Sequence, residues 1–250
     1  MKQYKNLKCL IKSKIKGRKS FTLAETLIAL VIIGVIASIT IPTIVKNYEQ
    51  EATVSKLKKV YSTLSQTTLK AMADNGPPET WELTGSGTFD SAKKAVQRYL
   101  FPYLSVVKIC ESNNNTDICK VNVKGLNGSD YTSTKAPPDK SYRFYLADGT
   151  FISTITAKET KRSRLIMTID INGTKGPNIL GKDIFRLEYY IAAIDQYADQ
   201  NGKFVPTYVK YTRSDILSNK ADRCNKKQNG DACFALIYKD GWQIKRDYPW

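Results

Sequence analysis

Hydrophobic and polar positions follow two helical patterns in the amino-terminal part of the chain. Residues 26–45 carry no charged side chain, and about 20 apolar residues are enough for a helix to span a membrane. After this run, apolar residues recur at steps of three and four, as on one face of an amphipathic helix. These residues are Leu57, Val60, Tyr61, Leu64, Thr68, Ala71 and Met72. The pattern predicts one helix, with a membrane-spanning part over residues 21–45 and an amphipathic part over residues 46–75.

Residues 76–250 form a segment long enough to build a hydrophobic core of its own. The predicted elements of this head are a helix over residues 91–100, strands over 142–147, 150–155 and 164–171, and a terminal hairpin over 233–238 and 241–244. Asp148 and Gly149, between the first two strands, are a strong signal for a two-residue hairpin turn. An antiparallel sheet that lies on the amphipathic helix would bury the apolar sides of both. The predicted fold class is therefore α+β, with the long N-terminal helix packed on an antiparallel β-sheet head.

Charge is concentrated at the amino end. Residues 1–20 contain eight basic side chains and no acidic one. Because basic flanks tend to remain in the cytoplasm, the amino end is predicted to lie inside and the head outside. The net charge of the whole sequence is +16, and without residues 1–20 it falls to about +8. That excess is compatible with weak binding to DNA or an anionic polymer, and equally with scattered, solvated surface charges.

Glu25 is an isolated acidic residue at the start of the apolar run. A carboxylate costs about 2.5–3.5 kcal/mol at the bilayer centre and less near the interface, so Glu25 needs a specific partner. The stretch Ser20-Phe21-Thr22-Leu23-Ala24-Glu25, with the apolar residues 26–37 behind it, resembles the cleavage and methylation segment of type IV pilins and type II secretion pseudopilins. The resemblance covers residues 17–75, and it departs from the family at Ser20, where the family usually has Gly.

The resemblance implies a sequence of events for this chain. A prepilin peptidase would remove the basic leader, residues 1–20, and methylate the new amino terminus at Phe21. Glu25 would serve assembly by pairing with the Phe21 amine of a neighbouring subunit. Gly34 and Pro42 each weaken the helix, and the family similarly carries a Gly and a Pro here; an ordinary kinked membrane helix also accounts for both. The partners implied are the peptidase, other pilin or pseudopilin subunits, the inner-membrane assembly platform and the membrane.

An ordinary signal peptide or signal anchor is the alternative for the amino-terminal segment, since it too begins basic and continues apolar. Its cleavage site, however, follows the apolar region at small residues. Here the apolar run is longer than such a region, and it continues into the amphipathic pattern. The arrangement therefore favours a retained membrane span.

Five cysteines are present, and removal of the leader takes away Cys9. The remaining four are Cys110 and Cys119, and Cys224 and Cys233, two pairs with the same nine-residue separation. Two local disulfides are the simplest of the three possible connectivities, in an oxidising compartment. Four reduced thiols in packed strands are the alternative. A zinc site is disfavoured because CxxC spacing is absent and the sequence has no histidine.

Enzyme motifs are scarce in the sequence. Without histidine, Ser-His-Asp and Cys-His arrangements and HExxH sites are excluded, and no phosphate-binding glycine loop is present. No enzyme activity, cofactor or metal site is therefore predicted. Residues 170–183, from Asp170 to Asp183, leave one alternative open, because their oxygen-bearing side chains could hold calcium as well as build a tight turn.

Two functions from different classes follow from the sequence. The first is a structural filament subunit of a type IV pilus-like or type II secretion assembly, anchored in the bacterial inner membrane before assembly. The alternative is a minor pilin whose tethered head binds DNA or a surface polymer. For that alternative, five tyrosines interleaved with basic residues could form a nucleic-acid platform, although ordinary packing also explains them. They are Tyr189, Tyr190, Tyr197, Tyr208 and Tyr211.

Overall fold

A computed structural model describes residues 22–110, 119, 121–131, 140–173 and 175–250. The chain consists of two compact units, and the boundary between them falls between Asn47 and Tyr48. The α-helices are α1 (Leu23–Asn75), α2 (Phe89–Tyr99), α3 (Arg213–Leu217) and α4 (Cys233–Lys239). The strands are β1 (Val106–Cys110), β2 (Tyr142–Leu146), β3 (Phe151–Lys158), β4 (Arg162–Asp170), β5 (Ile184–Ala193) and β6 (Phe204–Pro206). Short 3₁₀ turns occupy Pro78–Thr80, Phe101–Tyr103 and Ala198–Gln200.

Helix α1 confirms the predicted long helix and ends where the sequence places the stop. Gly76, just beyond Asn75, has a φ of +78°, a conformation that glycine adopts without steric cost. The buried residues in the carboxyl-terminal part of α1 fall on the predicted apolar face, and Thr67 is buried there as well. Pro42 lies inside the helix, and helical structure continues through it.

The six strands form one antiparallel sheet in the order β1-β2-β3-β4-β5-β6, which confirms the α+β prediction. Neighbours in sequence are neighbours in the sheet, so each connection is local. The Asp148-Gly149 turn joins β2 to β3 as predicted, with Gly149 at φ +86°. The predicted strand at 164–171 corresponds to β4, and the helix predicted at 91–100 is α2.

The two faces of the sheet have different chemistry. The inner face packs against α1 and α2 in the main hydrophobic core, with Leu57 and Leu64 of α1 fully buried. Tyr61 of α1 also donates a hydrogen bond to the carbonyl of Phe204 at 3.0 Å. The outer face carries a smaller apolar cluster that includes Cys110, Cys119 and Tyr145. Several of the buried polar and charged side chains of the sheet lie on this outer face.

The prediction of a terminal hairpin at 233–238 and 241–244 is wrong. Residues 233–238 belong to helix α4, and Phe234, Leu236 and their apolar neighbours are buried on every side. A short, continuous apolar run does not distinguish a buried strand from a buried helix by its period. Gly241 and Trp242 then adopt positive φ angles, 72° and 62°, which end the helix and are incompatible with a second strand there.

Candidate assembly segment

The first turn of α1 is closed by a reciprocal pair of hydrogen bonds between Thr22 and Glu25. The backbone N–H of Glu25 donates to Thr22 Oγ1 at 3.2 Å, and the backbone N–H of Thr22 donates to Glu25 Oε2 at 2.8 Å. Thr22 Oγ1 also donates to the same carboxylate oxygen at 2.9 Å. This is a capping box, in which a threonine before the helix and a glutamate in its first turn satisfy each other's backbone donors.

The capping box fixes the Glu25 carboxylate at the positive end of the helix dipole, which favours a negative charge there. The isolated charge of Glu25 predicted its importance, but its partner Thr22 was missed. The Thr-x-x-Glu spacing ahead of an apolar run was the signal that could have identified it.

Behind the capping box, α1 presents a continuous apolar surface. Leu23 is 79% exposed, and the large apolar side chains from Leu27 to Val45 are exposed as well. Soluble domains rarely expose apolar patches of such extent. Within the described ranges, α1 is the one helix long and apolar enough to cross a membrane by length and composition.

Polar groups inside the apolar segment are satisfied by the helix itself. Ser38 Oγ donates to the carbonyl of Val35 at 2.7 Å, and Thr40 Oγ1 donates to that of Ile36 at 3.0 Å. These bonds satisfy the two hydroxyl donors within the helix, as a membrane-spanning helix would require. A Cβ built on Gly34 meets nothing within 4 Å among the described atoms. The single chain therefore supplies no steric reason for glycine at this position.

The predicted processing residues, Ser20 and Phe21, lie outside the described residues, as do Cys9 and the rest of the leader. Cleavage between Ser20 and Phe21 stays a prediction.

Both local disulfides are present in the head. Cys110, the last residue of β1, is bonded to Cys119, and Cys224 is bonded to Cys233, the first residue of α4. All four cysteines are buried. The alternative of four reduced thiols is thereby contradicted.

The open question at residues 170–183 is answered in part by the hydrogen bonds of the two carboxylates. Asp183 accepts from the backbone N–H groups of Asn178 and Ile179, both at 2.7 Å, and Asp170 accepts from that of Asn172 at 3.1 Å. Burial raises the pKa of Asp170 to about 8 and also raises that of Asp183. These contacts are those of a tight turn. In the part of the chain that the structure describes, no group of three or more acidic, cysteine or histidine side chains could hold a metal ion.

The tyrosines considered as a nucleic-acid platform mostly pack inside the head. Tyr189 and Tyr190 are buried, and Tyr189 lies against Trp81 with ring centroids 5.6 Å apart. Tyr211 is 39% exposed, and the guanidinium of Arg223 lies over its ring at 4.1 Å. The tyrosines therefore serve packing more than they present a stacking surface.

Comparison with known families gives the class of protein. A model of the prokaryotic N-terminal methylation motif matches residues 15–41, the segment that holds Thr22, Glu25 and the start of the apolar surface. Together with the long helix and the six-stranded sheet, this match makes the chain a type IV pilin or pseudopilin-like protein, a class whose members are normally non-enzymatic structural subunits. The motif implies processing by a prepilin peptidase and assembly with other pilins.

The rest of the chain has a family of its own. A model described as a family of unknown function, DUF6613, matches residues 43–250, and the chain belongs to that family. Searches of curated proteins and of solved structures found no match.

Proposed function

We propose that this protein is a subunit of a type IV pilus-like or type II secretion filament. The peptidase cuts between Ser20 and Phe21 and methylates Phe21, and the apolar part of α1 is then withdrawn from the inner membrane into the filament core. The observation that carries the proposal is the capping-box carboxylate of Glu25 at the start of an exposed apolar surface, within the methylation motif.

The electrostatics of Glu25 give this arrangement a function in assembly. In the single chain, Thr22 and the helix dipole stabilise the carboxylate only in part, because a buried charge needs an opposite charge close by. Cleavage at Phe21 creates a cationic amine at the start of the chain. When the amine of one subunit pairs with Glu25 of the next, both charges are satisfied inside the apolar core, and the pair fixes the axial register of the filament.

Orientation in the membrane is part of the same proposal. The eight basic side chains of the leader keep the amino end in the cytoplasm. The head, residues 76–250, then lies outside the cytoplasm, where its two disulfides can form and persist.

Replacing Glu25 tests the assembly role. Glu25→Ala should leave membrane insertion intact, so that mass spectrometry of the extracted protein still finds methylated Phe21 as the first residue. Filaments, counted by electron microscopy of sheared cells, should be lost. The reason is that the neighbour's amine then has no acidic partner in the core.

Glu25→Gln is the matched control for the capping role. The amide oxygen can still accept the Thr22 N–H, but the negative charge is gone. If charge pairing drives assembly, Glu25→Gln fails like Glu25→Ala. Normal filaments from Glu25→Gln would discard the charge-pairing role, and recovery of wild-type protein with residues 1–20 still attached would discard the filament proposal as a whole.

A further inference from the structure

A row of buried polar side chains crosses the outer face of the sheet. Arg143 on β2 lies opposite Ser153 on β3, Ser153 lies opposite Thr168 on β4, and Thr168 lies opposite Arg186 on β5. We call these four residues the outer-face row. Each of them is less than 9% exposed. Two guanidinium groups are thus placed in the same buried layer, separated by two hydroxyl-bearing strands.

The two arginines of the outer-face row differ in their partners. Arg186 Nη1 donates to Asp231 Oδ2 at 2.7 Å and to the Tyr131 hydroxyl at 3.1 Å. Burial works against the charge of Arg186, yet the Asp231 carboxylate raises its pKa. Arg186 is therefore a buried cation with its counter-ion in place, as buried charges generally require.

Arg143 lacks such a counter-ion within the described residues. Its Nη1 donates to the backbone carbonyl of Cys119, and its Nε is buried without a hydrogen-bond partner. Burial lowers the pKa of Arg143, and the phenol of Tyr145 nearby opposes that effect only in part. A guanidinium stays protonated even so, which leaves a buried positive charge whose one acceptor among the described residues is a neutral carbonyl.

Ser153 provides a second free donor beside Arg143. Its Oγ is also buried and, in the described structure, has no hydrogen-bond partner. Side chains directly opposite each other on neighbouring strands have Cβ atoms about 5 Å apart. Arg143 Nε and Ser153 Oγ can therefore reach the oxygens of one small ion.

Asp170, a carboxyl group on the same face, does not fill the position. Asp170 lies two residues beyond Thr168 on β4, and its Oδ1 accepts the N–H of Asn172. Since its pKa is about 8, it is protonated at neutral pH and provides no negative charge. The residues of the outer-face row are 5–8% exposed, but Arg143 Nε and Ser153 Oγ are themselves buried, so an anion held by both would be enclosed with them.

We propose that Arg143 and Ser153 form a binding site for a small oxyanion on the outer face of the sheet. The free groups are a cationic N–H and a hydroxyl, which together select a negatively charged oxygen acceptor such as a carboxylate, phosphate or sulfate. The bound anion is the counter-ion of Arg143, just as the Asp231 carboxylate is the counter-ion of Arg186. The site is independent of the filament proposal, because it lies in the head and uses no residue of the assembly segment.

Calorimetric titration of the full-length protein in detergent tests the site. Acetate, inorganic phosphate and sulfate are titrated separately, at constant ionic strength with chloride as the reference. One of them is expected to bind with 1:1 stoichiometry, and which one distinguishes a carboxylate ligand from a phosphate or sulfate ligand. Arg143→Gln should abolish the binding. Ser153→Ala should weaken it by about tenfold to a hundredfold, the effect of losing a hydrogen bond to a charged group.

Thr154→Val is the matched control. Thr154 follows Ser153 on the same strand, points to the inner face, and has a buried hydroxyl that likewise lacks a partner among the described residues. Its replacement should leave anion affinity unchanged.

Three outcomes would overturn the proposal. The first is that no anion binds to the wild-type protein. The second is that Ser153→Ala binds the anion as tightly as the wild type. The third is that Thr154→Val weakens anion binding as much as Ser153→Ala does. If Arg143→Gln fails to fold, the comparison of Ser153→Ala with Thr154→Val still decides.

Discussion

Asp170 is a carboxyl group in surroundings that disfavour its ionised form. It is 1% exposed, and its Oδ2 is buried without a hydrogen-bond partner among the described atoms. Burial raises its pKa to about 8, and the nearby Asp183 carboxylate acts in the same direction. In the unfolded chain the same group titrates near pH 4, at about 3.9.

These two pKa values set the sign of a pH dependence. Between about pH 4 and pH 8 the folded protein keeps a proton on Asp170 that the unfolded chain has lost. Asp170 therefore makes its full contribution to the free energy of unfolding below about pH 4, and this contribution is lost as the pH rises through about 8. We expect the free energy of unfolding of the head to fall from pH 5 to pH 8, and Asp170→Asn to reduce that slope, as measured by denaturant titration in detergent.

Asp148→Asn is the control for this pH series. Burial raises the pKa of Asp148, but hydrogen bonds from Thr150 and the nearby Lys59 outweigh burial and lower that pKa. This carboxylate is ionised in both states between pH 5 and pH 8, so the variant should keep the wild-type slope. A slope that Asp170→Asn does not change would show that Asp170 is not the titrating group.

Single residues also mark the limit of what the sequence reveals about the candidate sites. Glu25 was identifiable because a carboxylate in an apolar run is costly wherever the chain folds. Thr22 was identifiable in principle, because a capping box is a local pattern. The contrast between Arg143 and Arg186 was not, because it depends on which distant segment, carrying Cys119 or Asp231, covers each guanidinium.

At the scale of elements, two signals in the sequence gave correct predictions. One was the spacing of apolar positions in a long helix, and the other was a distinctive turn between two strands. Helix α1 shows its amphipathic period over many turns, and the Asp148-Gly149 turn fixes the β2–β3 hairpin. Helix α4 was mistaken for a strand because all of its residues from Cys233 to Ile237 are buried. Its apolar positions therefore show no helical periodicity in the sequence.

Helix α4 is also held by a disulfide at its first residue. The Cys224–Cys233 bridge fixes its first residue to the preceding loop, and a Cβ built on Gly181 would lie 2.7 Å from Cys233 Sγ. The joint replacement Cys224→Ala and Cys233→Ala should lower the free energy of unfolding by about 2–3 kcal/mol, from loss of loop closure in the unfolded chain. Denaturant unfolding of the oxidised protein measures the difference.

Reduction of the wild-type protein under denaturing conditions provides the comparison for this variant. Both bridges close loops of the same length, so breaking both should cost about twice as much as the double variant. A double variant as stable as the wild type would mean that the bridge contributes nothing to folding.

For the molecule as a whole, one buried ionic cluster joins segments that are far apart in the sequence. Asp231, just ahead of α4, pairs with Arg186 of β5, and both bond to Tyr131. Asp231→Ala leaves the Arg186 charge buried without its counter-ion, which should cost about 3–5 kcal/mol and lower the midpoint of cooperative unfolding.

Asp130→Ala is the matched control for this cluster. Asp130 pairs with Lys124 at 3.1 Å, but both side chains are more than half exposed. The loss of an exposed pair costs about 1 kcal/mol or less. If Asp231→Ala cost no more than Asp130→Ala, the buried cluster would not be a stabilising centre of the head.

The overall architecture was predictable from the sequence, but strand pairing beyond the β2–β3 hairpin was not. A retained apolar segment, an amphipathic helix and a strand-rich head determine the α+β class. The outer face of the sheet combines Arg143, Thr168 and Arg186 with apolar neighbours, so it shows no clean alternation from which strand register could be read.

The nine-residue separation of each cysteine pair has a consequence for biogenesis. In the orientation proposed above, the head would cross the membrane in sequence order, so that Cys110 and Cys119 reach the oxidising side almost together, and Cys224 and Cys233 reach it later. Each bond can close with its own neighbour before a competing thiol arrives. On that proposal, maturation of the head would need an oxidant but no isomerase to correct mispaired cysteines.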